Sequence, residues 1–171
     1  MRGRQTVRDM VLSMLAVCGV VAVAYAFGPH SSGDGVHVVE YRTAAASAKR
    51  AAPYPLLAPE GLPEKWRATS VEYRPAGRAG SDGHSTWHLG FVTPSGQYAA
   101  VEQSDAPRDD VLADKVHDAK SDGSATVGGR DWERVQGAKD RALAVQSGKA
   151  VTLVTGTASY EELTQLAQAL K

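Results

Sequence analysis

The chain has 171 residues, with 19 basic and 19 acidic side chains and a formal net charge of zero. That balance, with no Lys/Arg cluster along its length, argues against a nucleic-acid or polyanion surface. Cys18 is the only cysteine, which excludes an internal disulfide and leaves the fold to hydrophobic burial alone.

Residues 1–9 form a basic leader, with Arg2, Arg4 and Arg8 against a single acid, Asp9. Met10 to Phe27 (MVLSMLAVCGVVAVAYAF) holds 18 consecutive uncharged residues. At ~1.5 Å per residue such a helix reaches ~27 Å, close to the ~30 Å hydrocarbon core of a bilayer. The far flank has no Lys or Arg until Arg42. Basic residues stay on the cytoplasmic side of a span. The expectation is therefore a single-pass signal anchor over 10–27 in the cell membrane, N-terminus cytoplasmic and C-terminal part extracytoplasmic, with the lipid bilayer as partner. Two alternatives compete. Ala24-Tyr25-Ala26 fits small-x-small cleavage, and a cut near Ala26 would release a secreted domain. Leu15-Ala16-Val17-Cys18 looks like a lipid-attachment box, although Val17 is bulky for its position. The unbroken apolar run to Phe27 favours the uncleaved anchor.

Residues 28–35 (GPHSSGDG) read as a flexible tether of turn formers. Removing the leader's three Arg and one Asp leaves 16 basic and 18 acidic residues, a near-neutral exterior. The 144 residues from 28 onward suffice for one well-buried domain, placed at 36–171. Val36–Arg42 (VHVVEYR) is β-branched and predicts a first strand. Thr43–Ala52 is Ala-rich and predicts a short helix. Pro53–Pro63 contains four prolines, so it is neither helix nor central strand. It reads as an extended segment laid across the core through Leu56, Leu57 and Leu62, in preference to a Pro-rich ligand for another domain.

From Trp66 the pattern turns regular. Trp66–Arg74 alternates, with Thr69, Val71 and Tyr73 on one side. A Gly-rich loop leads to Thr86–Thr93, where Trp87, Leu89 and Phe91 share a face. Pro94-Ser95-Gly96 is a tight turn into Gln97–Gln103. Asp105 is expected to cap a helix with Pro107 in its first turn and Asp109 and Asp110 at its positive end. Its apolar stripe is Val111, Leu112, Val116 and Ala119, and Ser121-Asp122-Gly123 ends it. Ala125–Val127, Asp131–Gln136, Arg141–Ser147 and Ala150–Thr155 read as strands, the last continuously apolar and so near the sheet centre. Ser159 and Glu162 form a capping box for a final helix burying Tyr160, Leu163, Leu166, Ala167 and Leu170. The fold class is α+β: an antiparallel sheet of roughly six to seven strands with helices packed on one face, and a possible internal β-β-β-α repeat.

Gly61-Leu62-Pro63 followed by Trp66 and Thr69, Thr86-Trp87-His88-Leu89-Gly90, Gly129-Arg130 with Trp132-Glu133, and Thr155-Gly156-Thr157-Ala158-Ser159 occur together. With the N-terminal anchor, the chain resembles the actinobacterial one-pass membrane proteins grouped as a domain-of-unknown-function family. The resemblance covers nearly the whole length. It implies a membrane protein with an exported α+β domain, and no activity.

Chemistry is sparse. His84 and His88 are spaced as a metal pair would be on a helix, but Asp82-Gly83 and the following strand break that geometry. Asp110, Asp114 and Asp118 fall every four residues along one helical stripe, without the turn glycine and bidentate glutamate of a calcium loop. Lys115 and Lys120 beside them favour a solvated face with local ion pairs. No G-x-S-x-G nucleophile turn occurs, and Gly128-Gly129-Arg130 is too short for a phosphate loop. Of the tryptophans Trp66, Trp87 and Trp132, the last shares its face with Arg134 and Gln136 and is the better candidate for an exposed contact. No catalytic, cofactor or metal-binding residue is assigned and no cofactor is implied. The expectation is a non-enzymatic exported binding or accessory module. The alternative is an envelope hydrolase or metal-dependent enzyme using His84, His88 and Asp131, with Asp82 nearby.

Overall fold

Glu40 sets the first element. Its carboxylate accepts the Arg42 amide at 2.8 Å, capping the helix Tyr41–Ala51 (α1). The computed structural model describes residues 38–78 and 82–171, together with Met14, Val17 and Cys18. The leader, the tether and nearly all of the anchor lie outside the described residues. No described helix is long and apolar enough to cross a membrane. The chain divides into the units Met1–Gly35 and Val36–Lys171.

Within Val36–Lys171 the described residues form seven strands and three helices. The strands are Arg67–Arg74 (β1), Thr86–Val92 (β2), Tyr98–Ser104 (β3), Lys120–Val127 (β4), Arg130–Gln136 (β5), Arg141–Ser147 (β6) and Ala150–Gly156 (β7). Arg108–Lys115 (α2) and Tyr160–Gln168 (α3) complete the set. All pairings are antiparallel, in the order β1-β2-β3-β7-β6-β5-β4. β7 is thus central, as its continuous apolar run predicts. It is buried along its whole length.

Helices cover both faces, which corrects the one-face expectation. On the first face α1 (Ala45, Ala48) and α3 (Leu163, Leu166, Ala167) pack with Trp87, Leu89, Phe91, Val101, Leu143 and Val154. On the second face α2 sets Val111 against Ala144, Val151 and Leu153, and the adjoining Val116 against Val135 and Ala142. A sheet dressed twice at its centre explains a strand without alternation. A strict β-β-β-α repeat does not hold, because the second half has four strands.

Other expectations change locally. Residues 38–40 are not in a strand, and one amide, Val39 N to Ala68 O at 2.9 Å, links them to β1. The favourable Glu40 cap starts a helix where β-branching predicts a strand. Asp105 caps nothing: its carboxylate takes the Ser85 amide at 2.7 Å, and α2 begins after Pro107 without a side-chain cap. α2 ends at Lys115, so Asp118 leaves the acidic stripe and takes a left-handed φ of 56°. Ser121–Gly123 lie inside β4 as a bulged edge strand. Trp132 is buried, 2% exposed, within the first-face core. Ser159 caps α3 by accepting the Glu162 amide at 3.3 Å, but the Glu162 carboxylate turns to Ser95 instead of closing the box.

The Pro-rich stretch crosses the first face as expected, with Tyr54, Leu56 and Ala58 inward and Leu57 half-buried. Its end pairs with the C-terminus: Ala58 and Lys171 exchange backbone bonds at 3.2 and 3.1 Å, and Glu60 N meets Ala169 O at 2.9 Å.

Tyr54 gives this segment a pH signature. It is 7% exposed and donates to the Ser85 and Gln103 carbonyls at 3.3 and 3.2 Å. Burial, with Tyr73 and Asp105 adding repulsion, pushes its phenol well above the usual range. The unfolded phenol ionises near pH ~10 while the folded one keeps its proton. The folded state then binds more protons, so stability is full below that pH and falls above it. Tyr54→Phe is expected to flatten the decline between about pH 10 and 12 by up to ~1.4 kcal/mol per pH unit. Urea unfolding at several alkaline pH values checks this; an unchanged slope would show that Tyr54 ionises normally when folded.

Candidate functional site

Because α2 packs over β5–β7, the β1–β3 half of the second face stays open. Register builds a row of side chains across it: Glu72 opposite His88, His88 opposite Glu102, and Glu102 opposite Leu153. The α2 side and the 82–84 loop bound a cleft of about 460 Å³, lined among others by Glu72, Arg74, His84, His88, Glu102 and Lys115.

A bulge in β1 decides what joins that row. Ala68 pairs with Phe91 and Ser70 with Gly90, leaving Thr69 as the extra residue. Ala68 is in the first-face core, and Val71 and Tyr73 pack against it. Regular alternation from Ala68 would send Ser70 inward as well. The extra residue reverses the phase, as bulges do, and places Ser70 on the open face. The simple alternation that groups Thr69 with Val71 and Tyr73 is therefore interrupted at the bulge.

His88 is held from both sides. Its Nδ1 lies 2.6 Å from Glu102 Oε1 and its Nε2 lies 2.8 Å from Ser70 Oγ. A carboxylate only accepts, so Nδ1 carries the proton, and in the neutral imidazole Nε2 accepts from Ser70. Glu102 is 6% exposed, and Lys115 Nζ stands 3.7 Å from its second oxygen. Lys115 also meets Asp114 at 3.1 Å. Glu102 and Asp114 hold the Lys115 ammonium above its usual range, against the opposing effect of burial. The Tyr98 hydroxyl bonds the Ser70 side chain, and burial raises its phenol pKa. Gly90 makes this meeting possible: a Cβ there would lie 2.4 Å from Ser70 Oγ and 2.7 Å from Tyr98 Oη. Glycine inside a strand weakens it, and such a glycine marks a close approach.

The sequence candidates separate. His84 and His88 both line the cleft, with Asp82, but each imidazole has its own carboxylate. His84 Nδ1 is 3.6 Å from Asp105 and His88 bonds Glu102. Asp131 is elsewhere: β5 lies four strand positions from β2, about 19 Å at ~4.8 Å per strand. There it accepts the Thr126 hydroxyl at 2.8 Å. It joins neither histidine. Among the described residues no group of three His, Cys, Asp or Glu side chains could hold a metal ion. Ser70, Tyr98 and Glu102 were not legible as site residues. The one sequence signal was Gly90, an apparently wasted glycine between Leu89 and Phe91.

A family model described as "Protein of unknown function (DUF4245)" matches residues 2–170. No curated protein and no solved structure matches the chain. None of these comparisons assigns a catalytic residue.

Proposed function

The chain belongs to the DUF4245 family, and on that premise we propose a single-pass membrane-anchored extracytoplasmic module that binds an envelope partner or ligand through its open half-sheet. Anchoring is supported by the uncharged Met10–Phe27 run behind three arginines.

The observation that carries the binding role is the buried Glu102 carboxylate at the cleft floor. Burying charge costs several kcal/mol per ion, and apolar replacement of a buried pair is often neutral or stabilising. Stability alone does not call for His88 and Glu102 on this face. The test is native pulldown from membranes with the tagged full chain, wild type against the double variant His88→Leu/Glu102→Leu. The variant is expected to melt no lower than wild type and to lose the partner or ligand that wild type enriches. Equal capture by both, or none by either, sinks the role of the cleft. Fractionation with intact-mass measurement tests the anchor: a mature chain starting beyond Ala26 in the medium replaces it with a secreted domain.

A further inference from the structure

Three features of the open face converge on one hydroxyl. The Thr69 bulge turns Ser70 toward His88, Gly90 clears the space above it, and Glu102 is buried to hold the imidazole. Bulges and strand glycines each weaken a sheet locally, and here both serve one contact. His88 Nδ1 donates to Glu102, Nε2 of the neutral imidazole accepts from Ser70, and the Tyr98 hydroxyl reaches the same Ser70 side chain. Nucleophile, base and orienting acid at hydrogen-bond spacing are the parts of a nucleophilic hydrolase, recognised by geometry and independent of sequence order.

We propose that Ser70, His88 and Tyr98, positioned by Glu102, form an acyl-transfer site that hydrolyses small carboxylic esters. This rests on the open face being the functional surface. Ser70 Oγ attacks the ester carbonyl carbon while His88 Nε2 takes its proton. The carbonyl electron pair moves onto oxygen, where the Tyr98 hydroxyl donates. Backbone amides in a sheet lie in its plane and serve the ladder, so a side-chain donor fills this place. The tetrahedral adduct collapses, the carbon–oxygen bond to the alcohol breaks, and His88 protonates the departing oxygen. Water, deprotonated by His88, then attacks the acyl-Ser70 carbonyl; the bond to Ser70 breaks and Oγ recovers its proton. The net reaction consumes one water and yields acid and alcohol. Ser70 is half-buried beside a shallow open face, which suits a short acyl group. The adjoining cleft holds five acids, Glu72, Asp82, Glu102, Asp110 and Asp114, against Arg74 and Lys115. Its field favours neutral or cationic esters over anionic ones.

The probe is 4-nitrophenyl acetate with the full chain in detergent micelles. Wild type is expected to release 4-nitrophenolate above the protein-free rate, with acetyl mapped to Ser70 after acid quench. Ser70→Ala and His88→Gln should each lower turnover on the order of 10²-fold without lowering the melting temperature. Glu102→Gln should displace the pH profile of turnover, with Glu102→Asp restoring part of the rate. 4-Nitrophenyl hydrogen succinate should react more slowly than the acetate; a faster reaction overturns the assigned ester class. Equal turnover by Ser70→Ala, or a folded wild type with neither turnover nor acetyl on Ser70, overturns the site. Because Ser70→Ala leaves His88 and Glu102 in place, partner capture by that variant separates failure of this chemistry from failure of the binding role.

Discussion

Gly156→Ala is expected to destabilise the protein by about 3 kcal/mol or more, the upper range of overpacking, lowering the melting temperature by roughly 10 °C. Gly156 ends β7, is buried, and has φ of 150°, a region nearly closed to L side chains. A Cβ there would stand 2.2 Å from the Tyr98 carbonyl oxygen, 2.8 Å from its carbon and 2.9 Å from Ala99 Cα. These are backbone atoms of β3, so no side chain can swing aside. Gly156 is also the register partner of both Ala99 and Arg141. Relief therefore requires parting β3 from β7, the seam between the two halves of the sheet. Thermal and urea unfolding read the effect. A loss below about 1 kcal/mol would mean that this seam yields cheaply, against the packing argument.

Trp87→Ala is expected to cost about 3–5 kcal/mol, as full truncation of a buried aromatic does. Trp87 is 0% exposed, packed in the first-face core with Leu89 and Phe91. Phe91 also meets Trp66 and Tyr41 edge-on, at 6.1 and 5.6 Å between centroids. The Trp87 indole N–H donates to Leu57 O at 3.2 Å, tying the Pro-rich stretch to the sheet. Trp87→Ala should thus also speed proteolysis within residues 53–63. Trp87→Phe, which keeps a ring but orphans that carbonyl, should cost about 1–3 kcal/mol. If the two variants lose equal stability, the hydrogen bond and not the ring volume dominates. If cleavage in 53–63 is unchanged, the segment is held by its own buried Tyr54, Leu56 and Ala58.

What the sequence displays depends on how local its cause is. The β2–β3 hairpin is written in Pro94-Ser95-Gly96 and the alternation around it. The last helix is written in Ser159 and its apolar spacing, and the central place of β7 in an unbroken apolar run. β4 shows less: Ala125–Val127 reads as a strand, but the KSDGS before it is exposed throughout and resembles a loop. The far side of α2 was hidden because Val111, Leu112 and Val116 look the same whichever face receives them. The candidate site was hidden for a sharper reason. Its parts meet only across strands, and register between strands leaves no mark within any one of them. Alternation with Val71 and Tyr73 turns Ser70 to the opposite side, but there it is one more polar residue of a strand, as is Glu102 in QYAAVEQ.

The strand order also governs how the protein can be made. β1–β3 and β4–β6 are each self-contained meanders, and they share no edge until residues 150–156 slide between them. A nascent chain emerging N-terminus first holds two unjoined ribbons through most of its synthesis. Non-local closure of this kind is slow, and unpaired edges left waiting invite misassembly. Completion of the sheet thus waits on β7, residues 150–156.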